Sequence, residues 1–207
     1  GGLTRALLET GATVTAIERD HRCIDALSEV AAAFDGRLTV IEADAMTADE
    51  KTLLQGKAPV KIVANLPYNV ATILLVGWLQ RAASFASFTL MFQKEVADRL
   101  TAKPGSKSYG RLSVITQWVC EVRPLFNVSK QAFTPPPKVA STVVELIPRA
   151  APLADATFTD LEKITQAAFG QRRKMLRASL KALAKTRGID PIDWIESCGI
   201  DPTARAE

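Results

Sequence analysis

Apolar residues recur along the first half of the chain with two alternating periods. Short runs rich in β-branched residues predict strands, and longer runs with an apolar residue every three or four positions predict helices. The predicted strands cover residues 13–17, 38–41, 60–64 and 88–92, and the predicted helices cover residues 5–10, 21–34, 70–81 and 94–101. Strands that alternate with helices indicate a parallel, doubly wound α/β sheet.

The pattern changes after Gly110. A predicted helix is followed by two extended segments, and the loop between these segments contains Thr134-Pro135-Pro136-Pro137-Lys138. Because proline is excluded from helix interiors and central strands, this loop is expected to be stiff and irregular. The predicted elements are the helix 112–119, the extended segments 120–128 and 141–147, a linker at 148–155, and the helices 158–169, 172–186 and 191–198. We therefore predict two domains, 1–148 and a small helical domain, 149–207.

The composition is typical of a globular protein, with 47% hydrophobic and 23% charged residues in 207. The net charge of +4 permits an anionic partner without requiring one. The three cysteines are far apart and only one histidine is present, so neither a disulfide framework nor a metal site is predicted. Without a disulfide framework, a reducing cytoplasm is the expected compartment. No apolar run reaches the roughly 18 residues that span a bilayer, so no membrane partner is expected.

Polar side chains follow three successive predicted strands: Glu18, Asp44 and Asn65. The carboxyl ends of parallel strands meet at one edge of a sheet, where open α/β sheets bind their ligands. A carboxylate accepts hydrogen bonds from both hydroxyls of a ribose, and a second carboxylate accepts from an adenine amine. We therefore expect these three side chains to lie in one crevice that holds a nucleoside.

The third of these strands leads into Asn65-Leu66-Pro67-Tyr68, which contains no acid or base. The amide oxygen of Asn65 and a backbone carbonyl accept both hydrogens of an exocyclic amine, and Pro67 stiffens the turn. Tyr68 is able to stack on a planar ring, which is worth about 1–3 kcal/mol per base. This set of residues suits the binding of an amine-bearing base.

The tetrapeptide resembles the N-L-P-Y signature of ribosomal RNA adenine N6-dimethyltransferases. Phe133 to Val139 resembles the F-x-P-P-P-K-V segment of the same family. Phe169 to Lys174 and the closing Asp201 to Glu207 resemble the small-subunit enzymes of the family specifically. The resemblance implies a Rossmann-like class I methyltransferase sheet followed by a small C-terminal α-helical domain. It also implies transfer of methyl groups from S-adenosylmethionine to the N6 amines of two adjacent adenosines. In this family those adenosines lie in a hairpin loop near the 3′ end of small-subunit ribosomal RNA, which is modified late in assembly of the subunit.

The resemblance assigns roles to two sets of residues. The catalytic set is Asn65, Leu66, Pro67, Tyr68 and Phe133, and the cofactor-binding set is Gly1, Glu18 for the ribose, Asp44 for the adenine, Ala45 and Asn65. Gly1 corresponds to the last glycine of the family's G-x-G-x-G turn. The earlier glycines and the leading strand are missing, so we expect a chain truncated at its N-terminus that binds S-adenosylmethionine weakly.

Basic residues are concentrated between Gly170 and Gly188, where no acidic residue occurs. Arg173, Arg177 and Lys181 are spaced by four, so on one continuous helix they would form a positive stripe along RNA phosphates, with Met175 and the neighbouring leucines buried opposite. The predicted RNA-binding residues are Lys94, Arg99, Lys138, Arg172, Arg173, Lys174, Arg177 and Lys181. The expected partners are small-subunit ribosomal RNA and the assembling subunit, bound by a monomer.

Three alternatives remain open from the sequence. A catalytically silent RNA-binding factor for ribosome assembly or transcription would keep the fold, although the intact Asn65 and Tyr68 argue against it. A DNA adenine methyltransferase would be expected to carry a separate sequence-reading domain, which the short helical tail is too small to provide. A nicotinamide-dependent dehydrogenase would need a hydride-transfer base, and none is evident.

Overall fold

The computed structural model describes residues 1–48 and 60–207. The chain divides into two compact units, Gly1–Ala58 and Pro59–Glu207. Within the described ranges, no helix is long and apolar enough to cross a membrane.

The first unit is a two-stranded parallel sheet with two helices. Its elements are α1 (Gly2–Glu9), β1 (Val14–Glu18), α2 (His21–Ala32) and β2 (Leu38–Glu42). Strands β1 and β2 pair from Val14 opposite Leu38 to Glu18 opposite Glu42, so their carboxyl ends are level. Leu8, Leu27 and Leu38 form its buried core. Asp20 is the N-cap of α2, and its carboxylate accepts a hydrogen bond from the backbone N–H of Arg22.

The second unit contains a mixed four-stranded sheet. Its strands are β3 (Lys61–Ala64), β4 (Ser87–Gln93), β5 (Cys120–Val128) and β6 (Ser141–Pro148), in the order β3-β4-β6-β5. Strands β3 and β4 are parallel, whereas β6 is antiparallel to both of its neighbours. Phe88, Leu90 and Phe92 of β4 and Val144 and Leu146 of β6 are essentially inaccessible to solvent. The last strand in sequence is therefore one of the two central strands of the sheet.

Helices surround this sheet and form the C-terminal part of the unit. They are α3 (Tyr68–Leu79), α4 (Lys94–Leu100), α5 (Arg111–Val119), α6 (Phe158–Gly170), α7 (Leu176–Ser179), α8 (Lys181–Thr186) and α9 (Pro191–Ser197). Short 3₁₀ turns lie at Ala82–Ser84 and Lys130–Ala132. The last four helices enclose their own buried cluster of Ala168, Leu180 and Ile195.

The predicted α/β class is confirmed, and the predicted strands and helices up to residue 169 match the observed elements to within a few residues. The predicted domain boundary after residue 148 stays a prediction, since the two compact units divide between residues 58 and 59.

The continuous helix predicted over residues 172–186 is wrong. Residues 171–173 form a turn and residue 174 a bend, Met175 is extended with φ −62° and ψ 151°, and α7 and α8 are separate short helices. The reason is long-range hydrogen bonding: the backbone N–H groups of Leu176 and Arg177 donate to the carbonyls of Ala204 and Pro202, at 2.8 and 3.1 Å. These N–H groups are thus paired outside a helix, and the chain can change direction before α7.

The interruption of this helix has two consequences for the positive stripe predicted from Arg173, Arg177 and Lys181. Arg173 lies outside any helix, so it does not share one helical face with Arg177 and Lys181. Met175, which was expected on the buried face, is 41% exposed, while Leu180 is buried as expected.

Candidate active site

The connection from β3 to α3 consists of Asn65, Leu66 and Pro67. Strand β3 ends at Ala64 and α3 begins at Tyr68, so this connection lies at the carboxyl end of a parallel strand. Pro67 is the residue that precedes α3, with φ −55°, and its carbonyl accepts from the N–H groups of Val70 and Ala71, both at 3.1 Å. Because the proline ring presets this φ, the turn is stiff and directs the side chains on either side of it.

A pocket of about 260 Å³ lies beside this turn. It is lined by Asn65, Leu66, Pro67, Tyr68, Met91, Phe133, Pro135 and Pro137. The five side chains predicted as catalytic therefore border the same cavity, although Phe133 is far from the others in sequence. Asn65 is exposed, while Tyr68 and Phe133 are half-buried, so both aromatic side chains remain partly accessible.

Ser141 supports Tyr68, and the sequence did not indicate it. The hydroxyl oxygens of Tyr68 and Ser141 are 2.7 Å apart, and Ser141 is completely buried. Ser141 is the first residue of β6, where it pairs with Gln93 of β4 and Val128 of β5. The only signal in the sequence is a small polar residue at the start of a predicted strand.

Met91 was also missed as a lining residue. It lies near the end of β4, next to β3, and is 8% exposed. The pairing of Ala64 with Leu90 places it just beyond the end of the β3–β4 ladder, which sequence periodicity alone does not reveal.

Glu18 and Asp44 lie at the same edge of the sheet in the first unit. One oxygen of Glu18, Oε1, accepts from the backbone N–H groups of Arg19 and Asp20, at 2.8 and 3.0 Å. Asp44 accepts from the N–H of Met46 at 2.8 Å and from the Arg19 guanidinium at 3.1 Å. These hydrogen bonds, chiefly the one from Met46, hold the pKa of Asp44 below its ordinary value, so the carboxylate is charged at neutral pH.

The two carboxylates fit the polar groups of a nucleoside. An ionised carboxylate only accepts hydrogen bonds, and each of its oxygens has room for more than one donor. Ribose hydroxyls and an adenine amine are donors, so the fit does not require Asp44 to release Arg19. Ala45 follows Asp44 directly, and Gly1 precedes α1 with no atom near the position of a β-carbon. That Asn65 joins these residues in one crevice stays a prediction, because it belongs to the other unit.

Three of the predicted RNA-binding cations already have acidic partners. Lys94 contacts Asp98 at 2.8 Å, Arg99 contacts Glu95, and Arg172 contacts Glu207 at 2.7 Å. The other five are exposed and form no ion pair with any residue in the ranges 1–48 and 60–207: Lys138, Arg173, Lys174, Arg177 and Lys181. These five are the better candidates for direct contacts with phosphate.

A larger cleft of about 610 Å³ lies between α3, α5 and α6. Its lining includes the rings of Tyr109 and Phe169, which meet edge to face at 5.9 Å between centroids. It also includes three arginines, each with a carboxylate partner: Arg99 with Glu95, Arg111 with Glu162 and Arg172 with Glu207. The positive charge of this cleft is therefore largely compensated.

Residues 1–205 match the family described as ribosomal RNA adenine dimethylase. The chain belongs to this family. The predicted enzyme class, a methyltransferase that dimethylates adenine in ribosomal RNA, is thereby confirmed, and a methyltransferase of this kind uses S-adenosylmethionine.

Curated relatives and solved structures agree with this assignment. The chain is 62% identical to ribosomal RNA small subunit methyltransferase A of Rhodospirillum rubrum and 63% identical to that of Paramagnetospirillum magneticum. Both alignments cover the whole chain and 70% and 72% of those relatives. The fold is similar to a dimethyladenosine transferase from Plasmodium falciparum, with a TM-score of 0.81 and 26% identity over 100% of this chain and 80% of that one. It is also similar to the 23S rRNA methyltransferase ErmE, with a TM-score of 0.70 and 27% identity over 99% of this chain and 80% of ErmE.

Proposed function

We propose that the protein transfers methyl groups to the N6 amines of two adjacent adenosines in a hairpin loop near the 3′ end of 16S ribosomal RNA. The observation that carries this proposal is the pocket shared by Asn65, Tyr68 and Phe133 in a chain of the adenine dimethylase family. The high identity to small subunit methyltransferases A favours the small-subunit substrate.

The pocket binds the target adenine after the base has been turned out of its stack. Extrusion of a base costs a few kcal/mol, so the pocket must offset this with stacking and hydrogen bonds. Tyr68 and Phe133, which are far apart in sequence, supply two aromatic rings, and both rings line the cavity. Pro135 and Pro137 extend the apolar wall and exclude water from the ring faces.

Asn65 holds the amine. Its side-chain oxygen accepts one hydrogen of the NH₂ group, and a backbone carbonyl of the turn accepts the other. Both contacts favour positive charge that develops on the nitrogen, so they are stronger in the transition state than in the ground state. The side chain is neutral and acts by orientation rather than as a strong base.

The cofactor half of the site is assigned to the first unit. S-adenosylmethionine, when bound, supplies an electrophilic methyl group. Glu18 accepts from the ribose hydroxyls, Asp44 accepts from the adenine amine, and Gly1, Ala45 and Asn65 border the same molecule.

The RNA is held mainly outside the pocket by the exposed cations of the second unit, from Lys138 to Lys181. Phosphate contacts of this kind position a nucleic acid without reading its sequence. The enzyme acts as a monomer in the cytoplasm on a small subunit that is still being assembled, where the hairpin loop is accessible.

The test is methyl transfer to purified ribosomal particles with saturating S-adenosylmethionine. We expect N6,N6-dimethyladenosine at two adjacent positions in unmethylated small subunits, mapped by mass spectrometry of nuclease fragments. Mature small subunits, large subunits and duplex DNA are the controls. Binding to small subunits without methyl transfer would support a silent assembly factor instead, and methylation of DNA would refute the choice of substrate.

A further inference from the structure

We propose that Ser141 is a positioning residue, which sets the direction of the Tyr68 ring for stacking on the target adenine. The inference rests on the proposed function. It adds a residue from the start of β6, 73 positions away from Tyr68 in sequence, to the machinery of the pocket.

The contact has the geometry of a well-formed hydrogen bond. Its oxygen–oxygen distance of 2.7 Å is at the common value for two hydroxyl groups. Ser141 is completely buried, and its hydroxyl is satisfied by this contact. A buried hydroxyl without a partner would be costly, so the pair is maintained.

The serine is a firm anchor because its backbone is held from both sides. It pairs with Gln93 of β4 and with Val128 of β5, and the preceding carbonyl of Ala140 accepts from the N–H of Lys94 at 2.9 Å. Tyr68 is the first residue of α3, and its side chain is half-buried.

The hydrogen bond therefore restrains the ring axis of Tyr68 at the end farthest from the backbone. Phe133, Pro135 and Pro137 also line the pocket, and they come from the loop that runs directly into Ser141. The start of β6 therefore fixes both the end of the loop that contains Phe133 and the hydroxyl of Tyr68. In this way it sets the distance between the two aromatic rings that is available to a base.

A double-mutant cycle measures this role. Ser141→Ala and Tyr68→Phe each remove one hydroxyl of the pair and keep the aromatic ring. We expect each variant to lower kcat about tenfold, the size of one net hydrogen bond, with the KM for RNA changed less than about twofold. Because both changes break the same contact, the double variant should lose about tenfold and not a hundredfold.

Thr142→Val is the matched control. Thr142 is the next residue of β6, is 5% exposed and donates its hydroxyl to the Asn127 side chain at 2.8 Å. Its substitution removes a comparable hydrogen bond from the same strand without touching the pocket. An equal loss of kcat in this variant, or multiplied losses in the Ser141 and Tyr68 cycle, would reduce Ser141 to a structural residue and overturn the inference.

A second measurement does not depend on activity. The chain contains two tyrosines, so ¹³C-tyrosine labelling gives ring signals for Tyr68 and for Tyr109 as an internal reference. We expect Ser141→Ala to shift the Tyr68 signals and Thr142→Val to leave them in place, with Tyr109 constant in both. Unchanged Tyr68 signals in Ser141→Ala would refute the inference, whereas an inactive wild type with the expected shifts would refute only the proposed function.

Discussion

Arg172 and Glu207 form an ion pair of 2.7 Å that joins the end of α6 to the last residue of the chain. The same guanidinium donates to the carbonyl of Ser106 at 3.1 Å, so Arg172 links three separate segments. Its neighbour Arg173 is exposed and has no acidic partner among the described residues. Two adjacent arginines of one basic motif thus have different environments.

We expect Arg172→Ala to act mainly on stability and Arg173→Ala mainly on RNA binding. Both side chains of the ion pair are 34% exposed, so its loss should cost about 0.5–1 kcal/mol, or about 1–4 °C in Tm. Glu207→Ala removes only the ion pair and should cost no more than Arg172→Ala, which also loses the hydrogen bond to Ser106. The double variant should be no worse than Arg172→Ala alone. Thermal unfolding and RNA filter binding measure the two effects. A weaker RNA affinity without any change in Tm for Arg172→Ala would contradict this division.

Asn65→Ala should lower turnover far more than RNA affinity. The side chain holds one hydrogen of the reacting amine, and the loss of one such electrostatic contact reduces kcat on the order of a hundredfold. Single-turnover methylation and equilibrium RNA binding separate the two quantities. Asn69→Ala is the matched control, because Asn69 is exposed in the next helix and does not line the pocket. Similar losses in both variants would argue against the role of Asn65.

Phe133→Ala should lower kcat/KM by removing one stacking face. Stacking of about 1–3 kcal/mol corresponds to a loss of roughly 5- to 150-fold. Phe133→Trp should retain most of the activity, because the ring is kept. Phe126→Ala removes a phenylalanine that is 59% exposed on β5 and outside the pocket, so it should behave as wild type. If Phe133→Ala is as active as Phe126→Ala, Phe133 only packs beneath the proline loop.

Arg173→Glu combined with Arg177→Glu should weaken RNA binding and flatten its salt dependence. Each lost phosphate contact reduces the slope of log affinity against log salt by about 0.7–0.9. Affinity measured over a salt series gives this slope, and kcat at saturating RNA should change little. Lys61→Glu with Lys163→Glu alters the net charge equally at two exposed positions. An equal loss of slope in that control would show a general charge effect rather than a local contact.

Acid should destabilise the first unit through Asp20. Hydrogen bonds from the Arg22 side chain, and then from its backbone N–H, lower the pKa of Asp20 to about 2. A carboxyl group whose pKa is lowered in the folded state stabilises the fold above its unfolded pKa of 3.8, and this contribution is lost as the pH falls towards 2. Asp20→Asn keeps a capping side chain but should unfold with a flatter pH dependence between pH 4 and 2. Denaturant unfolding at each pH measures this, and parallel curves for the two proteins would contradict it.

The local sequence pattern was sufficient to predict most of the helices and strands. It also predicted the part of the pocket that the Asn65 to Tyr68 turn forms. Strand β3, the Asn65 to Tyr68 turn and α3 follow from apolar periodicity and from a proline that presets the backbone, and these act over a few residues. The stiffness of the loop after Phe133 has the same local origin. The family resemblance then linked Phe133 with Asn65, and the cavity contains both.

Tertiary contacts decided the rest. The position of β6 between β4 and β5, and with it the contact of Ser141 with Tyr68, depends on strand pairing between residues far apart in sequence. The helix predicted over residues 172–186 is interrupted because the carbonyls of Ala204 and Pro202 accept the N–H groups of Leu176 and Arg177, which lie within it. Propensity within a short window contains no information about such distant partners. The sequence alone therefore determined which chemistry the chain carries, and the folded chain determined which of its side chains are anchored and which are free to bind.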